Sequence, residues 1–313
     1  MTESSGELFD LGYQHYDGPR EGRMRARKAV FVNGFRTSLG LGRGSMAKVL
    51  PILLFAVVMA PAVIFALIAS LADTLSVDLP GHSEYYQIVS IFLLLFSAII
   101  APELLCPDRR DGVISLYLVR PLSPTDYVAG RWLAFFSITL LLVYSGQVVL
   151  LVGLVLSAAE PLDYLRDNWL DIPRFIAAGI VVAAFTTTLP LAVSAFTTRR
   201  AFAAAFVIGL FIISASVSAI LTECEEDQEA FIQSESETQQ CEPLAGDSAR
   251  WFTLVAVGSV PINVSDLIFD AESDSEHSRQ VAKLPKIVPI GWYLLLTVGA
   301  GLVLWRRYWG IRA

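Results

Sequence analysis

Long apolar runs separated by short polar segments dominate the chain. A helix crossing about 30 Å of hydrocarbon needs about 20 mostly apolar residues. Six runs have about that length: Val49 to Leu71, Ile88 to Leu105, Trp132 to Ala159, Phe175 to Thr198, Ala201 to Leu221 and Val288 to Trp305. All lack Lys, Arg and Asp, and Glu103, near the end of the second, is the one acid among them. A charge at midspan costs about 2.5–3.5 kcal/mol on the insertion scale, so these runs are fit to span. In lipid the backbone must be satisfied internally, by helices or by a closed barrel of short alternating strands. Continuous runs predict helices, and the fold expected is an all-α integral membrane protein with six transmembrane helices. Pro51, Pro61, Pro190 and Pro289 lie in or beside the runs and mark places where a helix can kink.

Composition agrees with the bilayer as solvent. With 54% hydrophobic and 17% charged residues, a chain of 313 has too little polar surface to coat a soluble globule. Charge is segregated along it. Seventeen of the 23 basic residues fall in the tail to Lys48, the segment Cys106 to Arg131, the Arg199-Arg200 turn and the end from Arg306; six fall in the three opposite loops. Twenty-one of the 30 acids lie in those opposite loops. Basic loops stay inside, so both termini are expected to be cytoplasmic. The outer loops are then Ala72 to Gln87, Glu160 to Arg174 and the long stretch Thr222 to Ile287. The last begins acidic, but Trp251 to Ile262 is apolar, a length that suits a re-entrant or interfacial segment, and residues 222–287 read as an extracellular cap between spans five and six. Residues 1–48 read as a polar cytoplasmic tail without the pattern of a secretory signal, and residues 49–313 as the transmembrane domain.

Three cysteines make neither a disulfide framework nor a zinc site. Cys224 and Cys241 share the outer loop, where a bridge persists and would stabilise by about 3 kcal/mol in the chain-entropy model; the alternative is two unlinked thiols. Cys106, on the inner side, stays reduced. The chain contains no phosphate-binding G-x-x-x-x-G-K-[ST], no H-E-x-x-H and no G-x-S-x-G, so neither ATP binding by that route nor hydrolase chemistry is expected. His15, His82 and His277 read as ordinary exposed histidines in the tail and outer loops. Asn263-Val264-Ser265 matches the glycosylation sequon, a three-residue pattern too short to carry weight. Nothing calls for a metal, a cofactor within this chain, or nucleic acid. Polar residues within the runs, such as Gln147, Thr186 to Thr188 and Ser214, are expected to join helices rather than touch cargo. Glu103 is an ionisable residue within a span and hence a functional candidate, although its place at the inner end permits a plain partner such as Arg109 or Arg131.

The connection between the second and third spans, residues 106–131, is the informative segment. It holds Asp108-Arg109, Gly112, Leu116, Leu118, Pro121-Leu122-Ser123 and Gly130-Arg131, with nine residues from Gly112 to Pro121 and nine more to Gly130. By itself it reads as a short amphipathic helix ended by a turn at Pro121 to Pro124, which leads Asp126 and Tyr127 into the third span; without a partner its leucines would lie on the membrane surface. The spacing resembles the membrane subunits of bacterial type-2 ATP-binding-cassette exporters, whose motif has an acidic-Arg pair, a Gly four residues after the acid, a Leu-rich stretch, Pro-Leu-Ser and a Gly-Lys. Asp108 stands for the usual Glu, Pro124 for a common Arg and Arg131 for Lys.

That resemblance covers nearly the whole chain, and it implies a non-catalytic permease subunit in a bacterial plasma membrane. Two copies, or this chain and a close relative, would form the pathway. Separate cytoplasmic ATPase subunits would carry ATP and Mg and dock on the 106–131 coupling loop. Asp108, Arg109, Gly112, Pro121, Ser123 and Asp126 would transmit rather than catalyse. The resemblance also implies an amino-terminal interfacial helix. Met24, Phe31, Phe35 and Leu39 fall on one helical stripe, with Arg23, Arg25, Arg27, Lys28 and Arg36 around it to attract anionic lipid at about 1 kcal/mol each. The rival class is a membrane scaffold or sensor that binds a partner through the cap and transports nothing.

Overall fold

A computed structural model of the chain describes residues 18, 22–41, 44–75, 81–114, 117, 122–158, 160–222, 245–270 and 276–310. Among these there is helix and no strand. The helices are α1 (Arg23–Ser38), α2 (Ser45–Leu75), α3 (His82–Arg110), α4 (Pro124–Ser157), α5 (Pro161–Asp167), α6 (Asp171–Ser194), α7 (Arg200–Thr222), α8 (Ala249–Phe252), α9 (Val260–Phe269), α10 (Glu276–Ala282) and α11 (Ile287–Trp309), with short 3-10 turns on either side of α8. Six of them, α2, α3, α4, α6, α7 and α11, are long and apolar enough to cross a membrane.

The apolar runs underestimate the helices at their polar ends. Helix α4 starts at Pro124, eight residues before the apolar run, because Ser123 and Asp126 form a reciprocal capping box with a proline at the first turn. Helix α3 runs on through Asp108 and Arg109 to Arg110, so these two residues sit on the last turn of a span rather than on a separate loop helix. Helix α6 stops at Ser194, short of the Thr198 limit expected from hydropathy.

Helices α3 and α6 are central: 67% and 61% of their most apolar windows are buried, against 17% for α7 and α11. Helix α4 packs against α1, α2 and α6, while α6 also meets α3, α9 and α11. The main core runs along α3 and α4 through Tyr85, Leu93, Phe96, Leu104, Phe135, Ile138 and Leu150. A second cluster joins Leu94, Phe185, Val207, Phe211, Val264 and Tyr293 across α3, α6, α7, α9 and α11. The exposed apolar faces of α2, α7 and α11, with Ile52, Ile64, Phe206, Ile213, Leu295 and Leu302, are those expected to meet hydrocarbon.

Some polar groups inside the bundle join helices, while hydroxyls such as those of Ser97, Thr186 and Ser194 bond to carbonyls of their own helix. Tyr86 donates to the Phe175 carbonyl at 2.6 Å, Tyr144 to that of Ile176 at 2.7 Å, and Trp132 to the Thr188 hydroxyl at 2.9 Å. His82 departs from its expected exposure. It is buried in the first turn of α3, with Nδ1 2.6 Å from Gln147 Oε1, while the Gln147 amide donates to the His82 carbonyl. The α3 capping turn carries it inward, where hydropathy alone had placed it in a loop. Between α7 and α11, the apolar segment after Trp251 forms no straight span: residues Ala249–Val255 and α9 meet at a bend of 114°. Cys224 and Cys241 lie outside the described residues, as does Pro121; Cys106 is buried and free.

Candidate functional site

At the end of the bundle that holds α1 and the last turn of α11, four ion pairs and caps converge on the root of the 106–131 loop. They arise from charged residues at or just beyond the ends of apolar runs, close to helix ends that leave backbone groups without intrahelical partners.

Asp108, on the last turn of α3, reaches across to the start of α4. Its Oδ2 accepts from Arg131 Nη2 at 2.6 Å and from the Tyr127 hydroxyl at 2.7 Å. Both charged side chains are withdrawn from water, with 4% of Arg131 and 14% of Asp108 exposed. The guanidinium also lies 5.6 Å from the Tyr127 ring centre. Tyr127 stacks in turn on Tyr117 and on the fully buried Tyr308 of α11, and Trp305 of α11 donates to Thr125. Asp108 is therefore a buried tie between α3 and α4. Its removal would leave Arg131 charged, buried and without this carboxylate.

Arg109 points the other way. It donates to the carbonyl of Ala195, the residue that ends α6, and the Cys106 thiol approaches the Ser194 carbonyl at 3.8 Å. A cation at a helix C-terminus satisfies its last carbonyls and opposes its dipole. One turn earlier, Glu103 is paired with Arg200 at the start of α7, with Nη1 2.6 Å from both carboxylate oxygens. This corrects the expected partnership with Arg109 or Arg131. Those two are engaged elsewhere, and the short α6–α7 turn brings Arg200 over the α3 end.

Ser123 and Asp126 begin α4 and also hold α1. The Ser123 hydroxyl accepts from the Asp126 N–H and the Asp126 carboxylate from the Ser123 N–H, as a capping box requires. The same carboxylate accepts from Arg23 and Arg27, each Nε at 2.7 Å, and Arg23 also donates to the Ser123 hydroxyl. Two of the arginines expected to face lipid are thus bound to protein. The face of α1 that meets α4 is small and buried: Val30, Gly34 and Ser38. A Cβ on Gly34 would fall 2.9 Å from that of Ala134, and one on Gly130 would fall 2.9 Å from Val30 Cγ1, so both glycines permit close approach of the two helices. Phe35 and Leu39 pack partly on the core, while Met24 is exposed.

Gly112 lies in the turn that follows α3, at φ +68°, a left-handed conformation that suits glycine. Beside it Arg110 and Asp111 form an exposed pair at 2.9 Å, which holds the Asp111 carboxyl below its usual range through the Arg110 hydrogen bond. Of the six residues expected to couple, five are described. Four of them, Asp108, Arg109, Ser123 and Asp126, bind helix ends, and Gly112 shapes the turn. The pairing residues Arg23, Arg27, Tyr127 and Arg200 were not singled out for these contacts. The i, i+4 spacing of Arg23 and Arg27 was the available signal, since it puts both on one helix face. Among the described residues no group of three or more His, Cys, Asp or Glu is placed to hold a metal ion.

Among the described residues the arrangement is a set of joints linking six helices, α1, α3, α4, α6, α7 and α11, at one end of a membrane bundle. A search of curated proteins finds no match to the chain. The family model described as ABC-2 family transporter protein matches residues 29–243, which take in the end of α1, the joints on α3, α4 and α7, and the connecting loop. The chain belongs to the ABC-2 family of transporter proteins and is a multi-pass membrane component of a transport system.

Proposed function

We propose that this chain is the permease subunit of an exporter in a bacterial plasma membrane, with both termini cytoplasmic. Two copies, or this chain and a close relative, form the pathway, and separate ATPase subunits holding ATP and Mg dock on the 106–131 loop. The observation that supports this reading is the contrast between the loop's root and its first turn. Asp108, Arg109, Ser123 and Asp126 tie the root into α1, α3, α4 and α6, while Arg110 and Asp111 stand exposed beside Gly112. A push on the exposed turn is then carried into the spans as a shift of helix ends between two access states. Asp108, Arg109, Gly112, Pro121, Ser123 and Asp126 transmit that movement. On the other side of the membrane Cys224 and Cys241 are bridged and brace the cap.

The test is whether an ATP-binding-cassette ATPase, sought in the reading frames adjacent to that of this chain, co-purifies and reconstitutes with it. Arg110→Ala with Asp111→Ala removes an exposed pair of the kind that contributes little to stability. ATPase binding is expected to weaken at least tenfold, with thermal stability of the permease unchanged. Wild-type affinity in the double variant would remove the turn from the docking surface. If no ATPase associates even with the wild type, a scaffold or sensor acting through the cap replaces the exporter.

A further inference from the structure

At the opposite end of the bundle, the bend between α8 and α9 is wedged between α3 and α7. The Val257 N–H donates to the Ser214 hydroxyl of α7 at 3.2 Å, and Gly258 comes so near α3 that a Cβ there would lie 3.2 Å from Leu94 Cδ1. Beside the bend, a cavity of about 500 Å³ opens between the two helices, within the range of about 300–1,000 Å³ usual for small-molecule sites. Its walls are apolar, including Leu94, Leu95, Phe211 and Ile212. Leu95, Ile212 and the neighbouring Ile91 are also exposed on the lateral face of the bundle, so the cavity is continuous with the surface that meets hydrocarbon.

One end of the cavity is polar. Asn263, 96% buried, and His277 of α10 line it; among the described residues neither Asn263 Nδ2 nor His277 Nε2 has a hydrogen-bond partner. Buried polar atoms in native proteins are paired, and two orphans on one cavity wall indicate a ligand that supplies oxygen atoms to both. The burial of Asn263 also removes it as a glycosylation acceptor. Among the described residues no Lys, Arg, Asp or Glu lines the space. A fixed charge on the ligand would find no counter-ion among them, and burying one unpaired is costly.

We propose that this cavity binds an uncharged membrane amphipath, with an acyl chain between α3 and α7 and a hydroxyl- or ester-bearing head, of the monoacylglycerol kind, hydrogen-bonded to Asn263 and His277. The site requires neither an ATPase nor a particular direction of transport.

The experiment uses the full chain in nanodiscs with a photoactivatable monoacylglycerol, mapping labelled peptides by mass spectrometry against two charged probes of equal chain length, a fatty acid and a lysophosphatidylglycerol. Labelling should fall on Leu95, Ile212 and their neighbours and be at least fivefold greater for the uncharged head. Asn263→Leu, close in volume, should lower it at least fivefold. Ala215→Trp, at an exposed position on the cavity rim, should lower it at least tenfold while leaving the bundle's melting temperature unchanged. Absence of labelling in the cavity overturns the proposal and leaves water as the partner of Asn263. Equal labelling by all three probes, undiminished in Asn263→Leu, overturns it too, since the space is then a crevice that accepts any chain.

Discussion

Asp108 and Arg131, separated by 23 residues of chain, meet at 2.6 Å where the last turn of α3 crosses the first turns of α4. The pair is largely buried and Tyr127 completes it. Breaking such a pair from one side costs about 3–5 kcal/mol, because the surviving charge keeps its desolvation penalty without a partner. Asp108→Ala should therefore lower the melting temperature and yield of the purified chain markedly. Asp108→Ala combined with Arg131→Met, which removes the stranded charge, should recover most of the loss. Equal melting temperatures for wild type and Asp108→Ala would show that the tie contributes nothing.

The seat of α1 on α4 depends on missing side chains. Gly130→Ala places a methyl 2.9 Å from Val30 Cγ1, closer than carbon atoms pack, and overpacking of this sort costs about 1–3 kcal/mol. Truncating the opposing residue creates room for that methyl. In thermal unfolding, Gly130→Ala should melt lower than wild type, and Val30→Ala with Gly130→Ala should melt higher than Gly130→Ala alone. A double variant less stable than either single change would mean that the methyl fits and only contacts were lost.

The spans were legible because a run of about 20 apolar residues has one good solution in lipid. Their ends were less so. Hydropathy stops counting where charge begins, yet Asp108, Arg109 and Asp126 all lie within helices, held there by a partner distant in sequence or by a cap. The Ser123-x-x-Asp126 box was readable from local spacing. The union of Glu103 with Arg200 depended on how tightly α6 turns into α7, and the 97 residues between them carry no local sign of it. Spacing likewise selected Gly112 and Gly130 as a pair, although they serve unlike purposes: one adopts a left-handed turn and the other admits Val30. His82, read as exposed, is folded inward by the capping turn of α3, and His277, read the same way, is half-buried on α10.

His277 gives the cap a dependence on pH. Burial lowers its pKa from the ordinary 6.5, so the folded cap prefers the neutral ring. The unfolded segment takes up its proton first as the pH falls. The contribution is therefore fully present above pH 6.5 and is lost as the pH falls through the lowered folded-state value. Hydrogen exchange of residues 276–282 should accelerate between pH 7.5 and 5.5, beyond its intrinsic pH dependence, and His277→Gln should abolish the excess. An excess that persists in the variant would assign the effect to another group.

Asp126 is where the tail and the third span are held together, and it separates two accounts of how α1 is kept in place. In one, the close packing of Val30 and Gly34 on α4 suffices. In the other, the carboxylate fixes the first two turns of α1, since Arg23 and Arg27 both end on it. The arginines are about half exposed, at 51% and 44%, so each pair is screened and contributes no more than about 1 kcal/mol to global stability. The effect to look for is local. Asp126→Asn preserves size and an acceptor oxygen for the cap while removing the charge, so the melting temperature should change by only a few degrees. The start of α1 should nevertheless fray, and trypsin should cut after Arg23, Arg25 or Arg27 at least fivefold faster. Arg23→Gln with Arg27→Gln should fray it equally, measured by hydrogen exchange because two cleavage sites are lost. The difference between wild type and Asp126→Asn should narrow at 1 M salt, where the Debye length is about 3 Å. If Asp126→Asn is cut at the wild-type rate in low salt, packing alone holds the tail, through the contact of Val30 with Gly130.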